Sequence, residues 1–143
     1  MIEDVISFSI KNSIFATDFK KVPIILKADK YLIKGKIINS ITSFYYENGF
    51  VDLINLSSFF SIDPLHVISD SSKILVGYHD TKMFGILVDK VNDYFNFKNN
   101  SIIIKSDFKD SNSFLLGKVK IDSEELLLID LEKILNATFI KII

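Results

Sequence analysis

The side chains in this 143-residue chain best suited to move a proton or hold zinc are its two histidines, His66 and His79. A zinc site needs three or four clustered ligands, and neither histidine has a ligand partner at helical or hairpin spacing. Both therefore read as ordinary surface or loop residues. Cysteine is absent, which excludes disulfides, thiolate nucleophiles and cysteine-type zinc sites together. Serine is plentiful, but no Gly-x-Ser-x-Gly elbow occurs, and a serine nucleophile needs a positioned base. The acidic pair Glu124-Glu125 falls at a turn and reads as solvated rather than as a catalytic dyad. Asp89 and Asp130 read first as a strand end and a helix cap. No catalytic residue, metal, cofactor or small-molecule substrate is expected, so the chain does not read as an enzyme.

Aromatic side chains offer the other chemistry. Phe44-Tyr45-Tyr46 and Tyr94, Phe95, Phe97 lie in short β-branched surroundings. In small barrels, exposed aromatics beside a basic groove stack the bases of single-stranded nucleic acid. The competing reading is that alternating aromatics fill a barrel interior. Adjacent Tyr45 and Tyr46 must point to opposite faces of a strand, so one of them is exposed and free for a protein interface. The net charge of −1 and pI near 6.1 weigh against nucleic acid, because phosphate contacts supply most of such affinity. All 17 basic residues are lysine, so no guanidinium fork is available for clamping phosphate or carboxylate.

The elements that position these residues are short. At 48% hydrophobic residues, the chain has the composition of a folded domain. Its length suits one domain spanning 1–143 that buries roughly two-thirds of its unfolded surface. The acidic start Met1-Ile2-Glu3-Asp4 does not read as a signal peptide. Apolar runs reach only about four residues, against the roughly 20 needed to span a bilayer. A cytoplasmic protein without membrane insertion is expected.

Alternation predicts a first hairpin over 5–16, with Phe8, Ile10, Ile14 and Ala16 toward its inner face. Pro23 confines residues 20–26 to an extended edge strand or a position outside the sheet. Ile41–Tyr46 and Phe50–Ile54 flank Glu47-Asn48-Gly49, the chain's strongest type I′ turn signal. Asn55 is placed to cap a short helix carrying Leu56, Phe59 and Phe60. The stretch 73–97 predicts a hairpin across His79-Asp80-Thr81-Lys82, with a loop of about three to five residues because Asn-Gly is missing. Gly85 inside its second strand marks a bulge or a close approach. Residues 106–113 read as a mobile loop, 114–129 as a last hairpin, and Asp130 as the cap of a terminal helix bearing Leu131, Ile134 and Leu135. Eight to ten short strands with two Asx-capped helices, one closing each half, predict an all-β fold with a few short helices.

Several of these stretches resemble the CheW-like domain family. Phe84-Gly85-Ile86-Leu87-Val88-Asp89-Lys90-Val91 is similar to its Gly-x-Leu-Val-Asp-x-Val motif. Phe114–Val119, Leu127–Leu135, the opening hairpin around Phe8 and Phe15–Val22, and the step from Phe50 to Phe60 are similar to further family segments. The resemblance implies two small packed five-stranded β-barrel subdomains acting as a chemotaxis adaptor. Its implied partners are the regulatory domain of the histidine kinase CheA and the cytoplasmic tips of chemoreceptors, with recruitment to membrane receptor arrays. Gly85, Val88, Asp89 and Gly117 are then assigned to shaping the second barrel.

The family carries an arginine segment just before the Phe50–Phe60 step. Aligned without gaps, the preferred register, Glu47 stands in the arginine's place; the alternative register sets Gly35-Lys36-Ile37-Ile38-Asn39 on the start of the segment, with an insertion after it, and recovers no arginine either. The residues expected to contact partners are therefore Tyr45, Tyr46, Glu47 and Asn48, with Asp52 beside them. A barrel binding single-stranded nucleic acid through exposed aromatics and lysines is the alternative. A lysine stripe beside the aromatics would favour it, and an apolar patch with a mixed-charge rim would favour the adaptor.

Overall fold

A computed structural model describes residues 2–35, 37–38, 43–63, 65–96, 103–105, 114–121 and 123–139. The strands are β1 (Asp4–Ile10), β2 (Ser13–Asp18), β3 (Ile24–Lys27), β4 (Ile37–Ile38), β5 (Ser43–Tyr46), β6 (Gly49–Ile54) and β7 (His66–Val67). They continue with β8 (Lys73–His79), β9 (Lys82–Val88), β10 (Lys90–Asn96), β11 (Ile103–Lys105), β12 (Leu115–Ile121) and β13 (Glu124–Ile129), and the helix α1 spans Leu131–Thr138. The all-β expectation with a few short helices holds, the remaining helical pieces being single 3₁₀ turns at Phe19–Lys21, Ala28–Lys30 and Leu56–Phe59.

Two main sheets form, one of six strands in the order β10-β1-β2-β13-β12-β11 and one of five in the order β3-β8-β9-β6-β5; β4 and β7 pair separately. They do not correspond to successive halves of the chain. The six-stranded sheet is built from both chain ends, and the five-stranded sheet from the middle. Accordingly Gly85 and Val88 belong to one sheet and Gly117 to the other, where it sits at an irregularity in the β12–β13 ladder; Asp89 lies at the passage between them. Local alternation carries no information about this nesting, which depends on two long-range parallel pairings, β13 with β2 and β6 with β9.

Buried apolar residues fall into three clusters. Val5, Ala16, Val119, Leu126 and Leu128 cover one face of the six-stranded sheet. Phe44, Val51, Leu53, Ile74, Val76 and Leu87 cover one face of the five-stranded sheet. The third lies between the sheets and joins Ile6, Phe8, Ile10 and Phe15 to Leu75, Phe84, Ile86 and Val88, with Leu131, Ile134 and Leu135 of α1. Strands β8 and β9 are thus covered on both faces. The first hairpin uses both faces too: Phe8 pairs with Phe15, which puts Phe8 and Ile10 on the inter-sheet face and Ala16 and Ile14 on the opposite one. They do not share one inner face, because the turn has two residues and sets the register accordingly.

Among the described residues, the hairpin turns Lys11-Asn12, Glu47-Asn48 and Asp80-Thr81 are two residues long, each with a left-handed first residue (φ 57°, 57° and 56°). The loop expected at 79–82 is therefore shorter than its composition suggested, Asp80 tolerating the left-handed region that Asn-Gly would otherwise supply. In the second turn Gly49 pairs with Tyr46 as the first strand residue, and Glu47 takes the corner. Gly85 is a close approach: a Cβ there would meet Ile74, Val51 and Leu53 side chains at 2.9–3.1 Å. Pro23 directly precedes β3, an edge strand, as its missing N–H requires. Residues 19–21 form a 3₁₀ turn instead of extended chain, because the Asp18 carboxylate accepts the Lys20 N–H at 3.1 Å.

Asp130 caps α1, accepting the Lys133 N–H at 3.1 Å. Asn55 occupies the matching position before Leu56–Phe59 but makes no side-chain cap bond there, and its side-chain oxygen is buried. Phe97, the loop 106–113 and the chain beyond Phe139 lie outside the described residues.

Candidate functional site

Where β6 and β9 run parallel, their preceding turns come to the same end of the five-stranded sheet. Side chains directly opposite in the ladders share a face, so Tyr45, Phe50 and Asp52 lie on the same face as Phe84 and Ile86. At Phe84 and Ile86 that face is sealed by the other sheet. At β5 the cover has ended: Tyr45 is 59% and Phe50 65% exposed, their rings meeting edge to face at 5.4 Å. Such a geometry is favoured between aromatic quadrupoles and keeps both rings in place without a buried surround.

An open cavity of about 550 Å³ lies between the two turns. Glu47, Asn48, Phe50 and Asp52 line it from the first hairpin, and Tyr78, Lys82 and Met83 from the second. The Ser43 hydroxyl donates to Asp52 Oδ1 at 2.6 Å across the β5–β6 pair, which fixes the carboxylate on the exposed face. Glu47 and Asn48 are exposed at the corner. Of the expected contact residues, Tyr45, Glu47, Asn48 and Asp52 are thus brought together. Tyr46 points the other way and is half-buried, packed against Tyr31 at 5.8 Å beside Phe44. Its phenol is harder to ionise than an ordinary tyrosine, first through desolvation and then through the negative charge of Glu47.

Phe50, Tyr78, Lys82 and Met83 were not singled out from the sequence. Phe50 was accessible to such reasoning, since a two-residue turn at 47–48 places it opposite Tyr45. The second hairpin's contribution was not, since it depends on the parallel β6–β9 pairing between distant stretches.

His66 is a second correction. It is 6% exposed, in β7, and not a surface residue. Its Nε2 lies 3.2 Å from the Ser57 hydroxyl, and its Nδ1 3.9 Å from Asp89 Oδ1. The order Ser-His-Asp invites comparison with a hydrolase, but 3.9 Å is too long for the orienting hydrogen bond and Ser57 is fully buried. Asp89 is committed elsewhere, accepting the Lys11 N–H at 2.6 Å while its own N–H donates to the Ser9 carbonyl at 2.9 Å. Burial lowers the proton affinity of His66, and the Asp89 charge partly opposes this. The cluster ties the β1–β2 turn to the passage between the sheets; it is architecture. His79, half-buried at the end of β8, stacks on Phe139 at 5.8 Å. Among the described residues no three His, Cys, Asp or Glu side chains are grouped to hold a metal, and no helix is long and apolar enough to cross a membrane.

Residues 4–139 match the CheW-like domain family. The chain belongs to that family. A comparison with curated proteins finds no match. Among solved structures, the scaffolding protein CheW of Thermoanaerobacter tengcongensis superposes with a TM-score of 0.64 at 20% identity, covering 90% of this chain and 84% of that one. The arrangement of two sheets around a shared core is therefore the CheW fold. In this CheW-like domain the Phe84–Val91 motif forms the sealed strand β9 and the crossing into β10, while Glu47, expected from the resemblance to stand in place of an arginine, falls on the exposed corner.

Proposed function

We propose that the protein is a non-catalytic chemotaxis adaptor that couples chemoreceptor tips to the histidine kinase CheA, using the open end of its five-stranded sheet as a docking surface. One observation carries the reading: the Tyr45–Phe50 pair stands exposed on the edge strand β5 and its neighbour β6, bordered by Glu47, Asn48, Asp52 and Lys82. Apolar patches with a polar rim mark protein interaction sites, and aromatic anchors dominate their energetics. The rim carries both signs of charge and contains no lysine stripe, which disfavours a single-stranded nucleic acid beside the same aromatics. Membership in a scaffold family and a fold shared with a scaffolding CheW support the same function.

The test is a calorimetric titration against the kinase regulatory domain and against a receptor-tip fragment from the same organism. Micromolar binding to either, weakened by Tyr45→Ala or Phe50→Ala, is expected. Failure to bind both would overturn the coupling role and leave a family member with other partners.

A further inference from the structure

We infer that the cavity between the two turns is a receptor for an arginine side chain presented by the partner protein. The inference rests on the docking reading above and adds the chemistry of the occupant.

Three properties of the cavity converge on a cation with a flat, apolar-tolerant head. Its lining includes Phe50, 65% exposed on one face of the sheet, and Tyr78, 61% exposed on the other, and an exposed aromatic face attracts cations through its quadrupole. Its rim holds two carboxylates, Glu47 and Asp52, with Asp52 already oriented by the Ser43 hydroxyl at 2.6 Å. Among the described residues Glu47 has no ion-pair partner. Among the described residues the one cation on the lining, Lys82, lies with its Nζ 5.4 Å from the centre of the Phe139 ring. The lining thus carries two negative charges against one positive, and charge complementarity asks the partner for a cation.

Arginine meets these demands better than lysine. A guanidinium stacks on an aromatic face and offers a donor fork to a carboxylate at once, whereas an ammonium is a compact, strongly hydrated point charge. The volume, about 550 Å³, falls in the range of sites that enclose a whole side chain. Residues 1–143 contain no arginine, so neither they nor a second copy of them can fill the cavity with one. The occupant we infer is an arginine of the docking partner.

The experiment is an amide NMR titration of the full-length chain with N-acetyl-arginine amide, run beside N-acetyl-citrulline amide, its neutral counterpart of the same shape, and N-acetyl-lysine amide. Saturable shifts confined to residues 47–52 and 78–83 are expected for arginine, with citrulline bound at least about tenfold more weakly and lysine in between. Glu47→Gln, at an exposed corner, is expected to weaken arginine about tenfold while leaving the spectrum of the sheet unchanged. Equal response to citrulline, shifts scattered over the surface, or an unaltered response in Glu47→Gln would each overturn the inference. The outcomes separate from those of the docking test. Kinase or receptor binding without arginine-amide binding removes the arginine and keeps the adaptor; arginine-amide binding at the cavity without either protein keeps the arginine and removes those partners.

Discussion

Strands β6 and β9 carry one face through two opposite fates. At Ile54, Phe84 and Ile86 the face is closed by β1 and β2 of the other sheet, and these residues are at most 4% exposed. A few residues along β6, at Asp52 and Phe50 with Tyr45 opposite, the same face is open and apolar side chains meet solvent. The sealed core and the proposed docking surface are therefore separated by distance along a strand, with no change of element. The contrast teaches that an aromatic in such a sheet cannot be assigned to core or interface from its own alternation; the extent of the covering sheet decides.

The sharpest way to break that comparison is to delete a ring at each end. Phe84→Ala removes a fully buried side chain from the inter-sheet cluster and is expected to lower the free energy of unfolding by about 3–5 kcal/mol in a denaturant titration. Phe50→Ala at the open end is expected to stay within about 0.5–1 kcal/mol of the parent, since an exposed ring loses little cover on unfolding. Partner affinity should reverse the ranking, Phe50→Ala costing about 2 kcal/mol of binding, roughly 30-fold. A large loss of stability in Phe50→Ala would mean that the open end is core after all.

Gly77 tests how tightly the sealed end is built. A Cβ at this position would overlap the carbonyl oxygen of Lys21, which is backbone and cannot swing aside. Gly77→Ala is expected to cost about 3 kcal/mol, detectable as a fall in Tm, and more than Gly85→Ala, whose Cβ would press on side chains able to shift. Equal costs would show that β3 and the 3₁₀ turn before it yield more easily than the packed sheet.

Much of this architecture was legible in the sequence. The Phe84–Val91 motif, the Asp130 cap with Leu131, Ile134 and Leu135, and the Pro23-bounded edge strand each depend on local chemistry, which a sequence displays directly. What was hidden was non-local. Nesting of the middle sheet within the chain ends follows from parallel pairings between segments dozens of residues apart, so the expectation of two successive halves failed. His66 misled for a related reason: the sequence shows it without a partner at helical or hairpin spacing, while its neighbours Ser57 and Asp89 come from separate elements. At the site, the turn and Tyr45 were visible, but the wall made by Tyr78 and Lys82 appears only when β6 and β9 lie side by side.

The His66 cluster sharpens the comparison through pH. Buried and neutral, His66 takes a proton less readily than in the unfolded chain, whose histidines titrate near 6.5. Above that value both states are neutral there and nothing is lost. Below it the unfolded state binds more protons, so stability declines as pH falls toward the lowered folded value. The midpoint of denaturation is expected to fall more steeply between pH 6.5 and 5 in the parent than in His66→Gln, whatever the level of the variant. Parallel slopes would show that His66 is solvated like an ordinary histidine. Asp89→Asn should steepen the parent's decline further, because the carboxylate now opposes the burial effect.

The smallest structural change carries the most information about partners. Glu47→Arg alters one exposed corner residue and is expected to move stability by less than about 0.5 kcal/mol. On the gapless alignment proposed from the sequence, Glu47 takes the place of an arginine of the CheW-like family, and the variant would put that charge back at the corner. It should bind the regulatory domain of a standard CheA more tightly than the parent and lose the response to arginine amide, since like charges at an interface are penalised as strongly as opposite ones are favoured. Unchanged affinity for that domain would remove the alignment while leaving the cavity chemistry intact. Retained or tighter binding of arginine amide by the variant would overturn the arginine reading of the cavity, as an unaltered response in Glu47→Gln would.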